Sequence, residues 1–104
     1  MSNQEDLFIS IAGTLSQPPK QIGKDKAGFP IVMLYVRVMS YKGVIPCKVW
    51  RGWAEMCLAE LKQGDLVKVD GTLERRHYTD SNDVVHDDIL LNPTSQPEFV
   101  RGVQ

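Results

Sequence analysis

The stretch Val44-Ile45-Pro46-Cys47-Lys48-Val49-Trp50-Arg51-Gly52-Trp53-Ala54-Glu55 decides how this chain is read. It begins with the period of a strand and ends with that of a helix. Side chains alternate along a strand, so Ile45, Cys47 and Val49 share one face, and Pro46, Lys48 and Trp50 share the other. The first face is apolar and suits a core. The second carries a cation, an indole and, just beyond them, Arg51. An indole on a solvent face needs something to stack on, so function is expected on this side.

Toward the C-terminus the pattern turns helical after Gly52. Trp53, Met56, Ala59 and Glu60 follow one spiral, and Cys57, Leu58 and Leu61 widen its apolar part. The run Ala54 to Lys62 is rich in helix formers. A helix over roughly 52–63 is predicted, with Glu55 early and Lys62 late to suit its dipole and Gly64 as a left-handed cap. Asp65 to Tyr78 reads as the next strand. Val67, Val69, Gly71 and Leu73 face the core there, with Lys68, Asp70, Thr72, Glu74, Arg76 and Tyr78 opposite. Thr79 to Asp83 is a hairpin turn. Val84 to Leu91 is a last strand, ending at Asn92-Pro93.

Toward the N-terminus, Ser40 to Gly43 is a turn and Pro30 to Met39 a long strand. Val32, Leu34, Val36 and Val38 line one of its faces, and Ile31, Met33, Tyr35 and Arg37 the other. Leu7 to Leu15 is a first strand with Leu7, Ile9 and Ile11 on one face and Gly13 at a bend. Ser16-Gln17-Pro18-Pro19 ends it, and residues 20–28 form a polar loop or loose hairpin.

The order is three strands, one helix, two strands, with Gly13 and Gly71 inside strands. It implies an all-β chain: a five-stranded Greek-key barrel of the OB-fold type, with the helix between strands three and four plugging one end. A small open β-sandwich is the competing arrangement, but it has no need of a single helix at this point. The division is a flexible N-terminus over 1–6, the barrel over 7–92, and a flexible tail over 93–104 in which Phe99 and Val100 can dock.

The bulk numbers agree with one globular domain. The chain has 104 residues, 42% hydrophobic and 24% charged, enough to bury a core without staples. No apolar run approaches the ~20 residues that span a bilayer. The polar, acidic Met1 to Asp6 is no signal peptide. A cytoplasmic protein is expected, nucleoid-associated, or one in an organelle interior after loss of a presequence. Cys47 and Cys57 read as reduced thiols filling space. The net charge is −1, which speaks against a strongly basic binder, yet the charge is unevenly spread. Lys20, Lys24, Lys26, Arg37, Lys42, Lys48 and Arg51 lie in the first half, while acids cluster at Glu5-Asp6 and from Asp80 to Asp88. His77 and His86 stand near Asp80, Asp83, Asp87 and Asp88, but with no metal-ligand spacing. No nucleophile motif or phosphate-cradling glycine loop is present. The chain is therefore expected to be no enzyme and to need no cofactor or metal.

Ordered along the chain are Ala12-Gly13-Thr14-Leu15, then Lys48 to Glu55, then Leu61-Lys62-Gln63-Gly64-Asp65-Leu66-Val67-Lys68-Val69-Asp70-Gly71-Thr72-Leu73, then Arg76-His77-Tyr78-Thr79-Asp80. With this spacing, residues 7 to 91 resemble the bacterial-type single-stranded DNA-binding protein (SSB) family. The resemblance implies that Trp50 matches a strand-three aromatic that stacks on bases, and that Tyr78 matches a stacking aromatic at the end of strand four. Where the family often has two further tryptophans, Tyr41 matches one loosely and Val44 stands in place of the other. The chain ends without the linker and acidic tip common in the family. It is in that respect similar to short, tail-less members such as primosomal replication protein N. Binding of single-stranded DNA or RNA is implied, as a homodimer or homotetramer, in replication, repair or recombination and with replication-protein partners.

The residues fit that chemistry. Aromatics hold unpaired bases without reading sequence, and cations beside them pair with phosphates. Trp50 with Lys48 and Arg51, Tyr35 with Arg37, Tyr78 with Arg76, and Tyr41 with Lys42 supply the combination. Each has an alternative. Trp50, Tyr35 and Arg37 also suit a subunit interface, Tyr78 a hairpin anchor, and Lys20, Lys24 and Lys26 a solvated loop. Trp53 is expected in the core or at its rim. The competing function is a protein-interaction OB module that binds nucleic acid weakly and buries Trp50 and the Ile31-Met33-Tyr35 face in a partner.

Overall fold

The computed structural model describes residues 7–38 and 43–100. Its elements are β1 (Leu7–Leu15), β2 (Lys20–Lys24), β3 (Pro30–Val38), β4 (Val44–Trp50), α1 (Arg51–Glu60), β5 (Leu66–Thr79), β6 (Val85–Pro93) and β7 (Glu98–Phe99). The five strands expected from sequence are β1, β3, β4, β5 and β6. They pair in the order β1-β3-β4-β6-β5, and β5 returns to β1 and closes a barrel. Among the described strands only β4 and β6 run parallel, meeting at Cys47 and Leu91. A closed five-stranded barrel with one helix between its third and fourth strands is the OB arrangement.

The core follows the alternation. Val32, Leu34 and Val36 of β3, Ile45, Cys47 and Val49 of β4, and Val67 and Val69 of β5 are all buried. Burial pushes the pKa of both thiols up to about 12 from the ordinary 9.0, with Cys57 adding to the rise at Cys47. Both cysteines are free thiols. On β1 the core face starts later than expected. Ile11 and Leu15 are buried and Ile9 packs against the core, but Leu7 is exposed at the barrel rim, opposite Leu73.

Two glycines let strands cross at close range. A Cβ on Gly13 would lie 2.2 Å from the Arg37 carbonyl oxygen, and one on Gly71 2.2 Å from that of Asn92. At these points β1 turns from β5 toward β3, and β5 from β1 toward β6. Past Leu73, β5 pairs only with β6; Leu90 is still buried and Ile89 still packs against the core, so residues 76–79 and 85–88 form a two-stranded arm beyond the barrel. Four residues of strand reach about 13 Å.

Of the two readings of residues 20–28, polar loop or loose hairpin, the structure has the hairpin: β2 is an exposed strand hydrogen-bonded to β3 with a register shift between Gln21 and Gly23. The helix end and its cap are corrected. The helix stops at Glu60, because Leu61 turns extended (φ −102, ψ 150) and inserts its side chain in the core. Glu55 and Lys62 therefore miss the first and last turns. Gly64 (φ 91) is no helix cap but shapes the turn before β5, where Asp65 accepts from the Lys62 N–H at 2.9 Å. The buried line on α1 is Ala54 and Cys57, continued by Leu61, while Leu58, Ala59 and Glu60 face out. In the tail, where Phe99 and Val100 are expected to be able to dock, the chain is held as far as Val100. Glu98 and Phe99 pair with β5, the Val100 N–H donates to the Leu66 carbonyl at 2.9 Å, and Pro97 is buried. The calls on residues 1–6 and 101–104, and most of the turn at 40–43, lie outside the described residues. Among the described residues no helix is long and apolar enough to cross a membrane.

Candidate nucleic-acid interface

The outer face of β3 and β4 is built by register. Ile31 stands opposite Trp50, Met33 opposite Lys48, Tyr35 opposite Pro46, and Arg37 opposite Val44. Opposed residues on antiparallel strands share a face, so aromatic, aliphatic and cationic side chains alternate across one ladder. Trp50 is 43% exposed. Lys48 Nζ lies 4.9 Å from the centre of the indole, a cation–π contact. Tyr35 is half-buried and Arg37 exposed. On the far side of β3, Lys20 and Lys24 of β2 extend the sheet with two exposed cations, and Lys26 follows in the turn. Residues 20–51 hold seven basic residues and a single acid, Asp25.

Trp50 is also the N-cap of α1, with extended backbone (φ −121, ψ 151). The chain changes course at the next residue. Arg51 has φ 56, the left-handed region that residues with a Cβ avoid. Its Nε lies 3.2 Å from Asp25 Oδ2, and its guanidinium carbon 5.7 Å from the ring centre of Phe29. The sequence reading has Arg51 as a phosphate-pairing cation beside Trp50; the structure also ties it to the β2–β3 turn. Phe29, 37% exposed, was not singled out. Only its place after Gly28 and before Pro30, at a hairpin tip, hinted at a presented aromatic.

Tyr78 is placed elsewhere. It is 47% exposed on the arm, opposite His86 in the β5–β6 ladder. That ladder runs without a register shift from Gly71 to Thr79, so the alternation expected for β5 holds to its end. Arg76 pairs with Asp88 in the backbone ladder. Tyr41 and Lys42 lie outside the described residues. The structure thus brings Trp50, Lys48, Tyr35 and Arg37 onto two neighbouring strands, with Arg51 opening α1 just beyond them, and sets Tyr78 and Arg76 on a separate projection. Trp53 packs half-buried against the core, at the rim.

Among the described residues, no cluster of three His, Cys, Asp or Glu is placed to hold a metal ion. A cleft of about 780 Å³ lies between α1, β5 and the C-terminal segment, lined by Met56, Glu60, Lys68, Asp70 and residues 95–100. It shares no residue with the β3–β4 face.

Comparison with known proteins points to one family and one fold. Residues 37–91, just over half of the chain, match the model of the single-strand binding protein family. A single-stranded DNA-binding protein of Caldanaerobacter subterraneus subsp. tengcongensis is 41% identical over 59 residues, covering 49% of this chain. The match spans only 39% of that curated relative's length. The crystal structure of a small single-stranded DNA-binding protein from Streptomyces coelicolor superposes with a TM-score of 0.72 at 19% identity, covering 93% of this chain and 96% of that one. At that identity the superposition speaks for the fold.

Proposed function

Because this chain belongs to the single-strand binding protein family, we propose that it is a non-catalytic binder of single-stranded DNA that stacks bases on Trp50 and pairs phosphates with the cations around it. The observation that carries this reading is the exposed indole at the end of β4, with Lys48 against it, in a stretch of sequence, residues 20–51, where seven basic residues stand against one acid. A base entering over Trp50 displaces the Lys48 ammonium from the ring toward a phosphate. Stacking and charge neutralisation are thus coupled at one place. Arg37, Lys20 and Lys24 flank the path of the backbone, and Tyr78 offers a further aromatic on the arm. Contacts to phosphate and π-faces are independent of base sequence. A single domain presents few platforms, so a homodimer or homotetramer would lengthen the strand engaged. The role suits replication, repair or recombination, in the cytoplasm with the nucleoid or inside an organelle.

Titration of intrinsic tryptophan fluorescence with oligo-dT tests it. Quenching by single-stranded but not duplex DNA, reversed by salt, is expected. Trp50→Ala should weaken binding by about 1–3 kcal/mol, roughly 5- to 150-fold, without unfolding the protein. No quenching, together with a tight complex with another protein, would favour the interaction-module reading instead.

A further inference from the structure

Phe29 and Arg51 meet at the junction beside Trp50, and the contact is held from a third residue. Asp25 Oδ1 accepts from the backbone N–H groups of Ala27 at 2.9 Å and Phe29 at 3.0 Å. The Asp25 N–H donates to the Phe29 carbonyl at 2.9 Å. These bonds fix the turn and with it the position of the phenyl ring. The second oxygen, Oδ2, faces Arg51 Nε at 3.2 Å. Arg51 adopts a backbone conformation that a residue with a Cβ disfavours. Its side chain nevertheless stays 65% exposed while anchored. A disfavoured conformation kept at an exposed, anchored cation beside an exposed ring is the pattern expected where placement serves binding.

We propose that Phe29 and Arg51 form a second stacking platform for an unpaired nucleobase, neighbouring the one on Trp50, with Asp25 as its positioning residue. The proposal rests on the reading of Trp50 as a base platform. Unpaired bases stack on aromatic rings and on guanidinium planes alike, and the Phe29–Arg51 pair offers both. Trp50 and Arg51 are consecutive, so the two platforms serve neighbouring positions on the strand. The Arg51 charge also lies where the connecting phosphate must pass. Asp25 orients the guanidinium and, as the single acid among residues 20–51, spends its charge internally rather than repelling the strand.

The test is fluorescence anisotropy of labelled oligo-dT with the wild-type chain and with Trp50→Ala, Phe29→Ala, Phe29→Leu, Phe29→Tyr and Asp25→Asn variants, each checked for an unchanged melt. Phe29→Ala and Phe29→Leu should each lower affinity about fivefold or more. Phe29→Tyr should keep it, and the salt dependence should not change, because the loss is of stacking and not of a phosphate contact. Asp25→Asn, which keeps the turn's acceptor and removes the charge, should lower affinity less than Phe29→Ala. Wild-type affinity in Phe29→Leu would show that only apolar bulk matters and would overturn the platform. So would a loss confined to Trp50→Ala, which leaves the reading of Trp50 intact. Failure of the wild-type chain to bind oligo-dT would overturn both.

Discussion

Asp25 and Asp80 open turns with the same hydrogen bonds. Each carboxylate accepts from the N–H groups two and four residues on, Ala27 and Phe29 in one case, Asn82 and Val84 in the other. Each turn has a left-handed residue in the fourth place, Gly28 (φ 93) or Asp83 (φ 63). The first turn caps the β2–β3 hairpin and the second the β5–β6 arm. Their uses differ because of what surrounds them. The first bends against the β4–α1 junction, where Arg51 reaches back to it, within a stretch of seven basic residues and one acid. The second stands out from the barrel in a stretch, 74–90, of two arginines and five acids. One local device thus builds an anchored cationic corner and an acidic projection. Turn chemistry sets the hairpin; non-local contacts and charge set its role.

The largest expected effect separates the two hairpins by stability. Gly71→Ala should destabilise the protein by roughly 1–3 kcal/mol, because its Cβ would meet the Asn92 carbonyl at the root of the arm. For a domain of this size that is a fall in Tm of about 4–8 °C per kcal/mol. Gly23→Ala, in the β2–β3 hairpin, meets nothing within 4 Å and should change stability by less than about 0.5 kcal/mol. Equal melts for the two variants would show that the arm is not fixed by that close crossing.

Next in size is a difference in binding. Tyr78→Ala should weaken oligo-dT binding less than Trp50→Ala, by under about 1 kcal/mol, since the arm around Tyr78 is acidic and repels phosphates. An equal loss would mean that the arm folds onto the strand and that its charge matters little. The smallest effect is one of slope. Lys48→Met should reduce the dependence of log affinity on log salt by about 0.7, the contribution of one phosphate contact on a single strand.

The barrel was legible because its signals are local. The alternation in β3 and β4 assigned the core face residue by residue, and Gly13 and Gly71 marked the bends. The site was legible in part for the same reason: Trp50, Lys48 and Tyr35 follow from strand parity alone. What escaped depends on distant partners. Arg51 and Asp25 are 26 positions apart, and nothing in either neighbourhood announces the pair. β2 carries Lys, Gln, Ile, Gly and Lys, all exposed, so no apolar face betrays it as a strand. It forms because β3 offers it an edge. The helix ended early for a tertiary reason, the pull of Leu61 into the core, which outweighed the helix propensity of the residues around it.

The Lys48 contact with Trp50 has a bearing on the protein when no strand is present. A half-exposed indole on a curved sheet invites self-association, the usual fate of exposed apolar surface. A hydrated ammonium resting on the ring keeps that patch wet and charged, which disfavours apolar contact between copies through this one face. On the proposed reading of Trp50, the same lysine is a removable cover, yielding its seat to a partner that offers a π-face together with a negative charge.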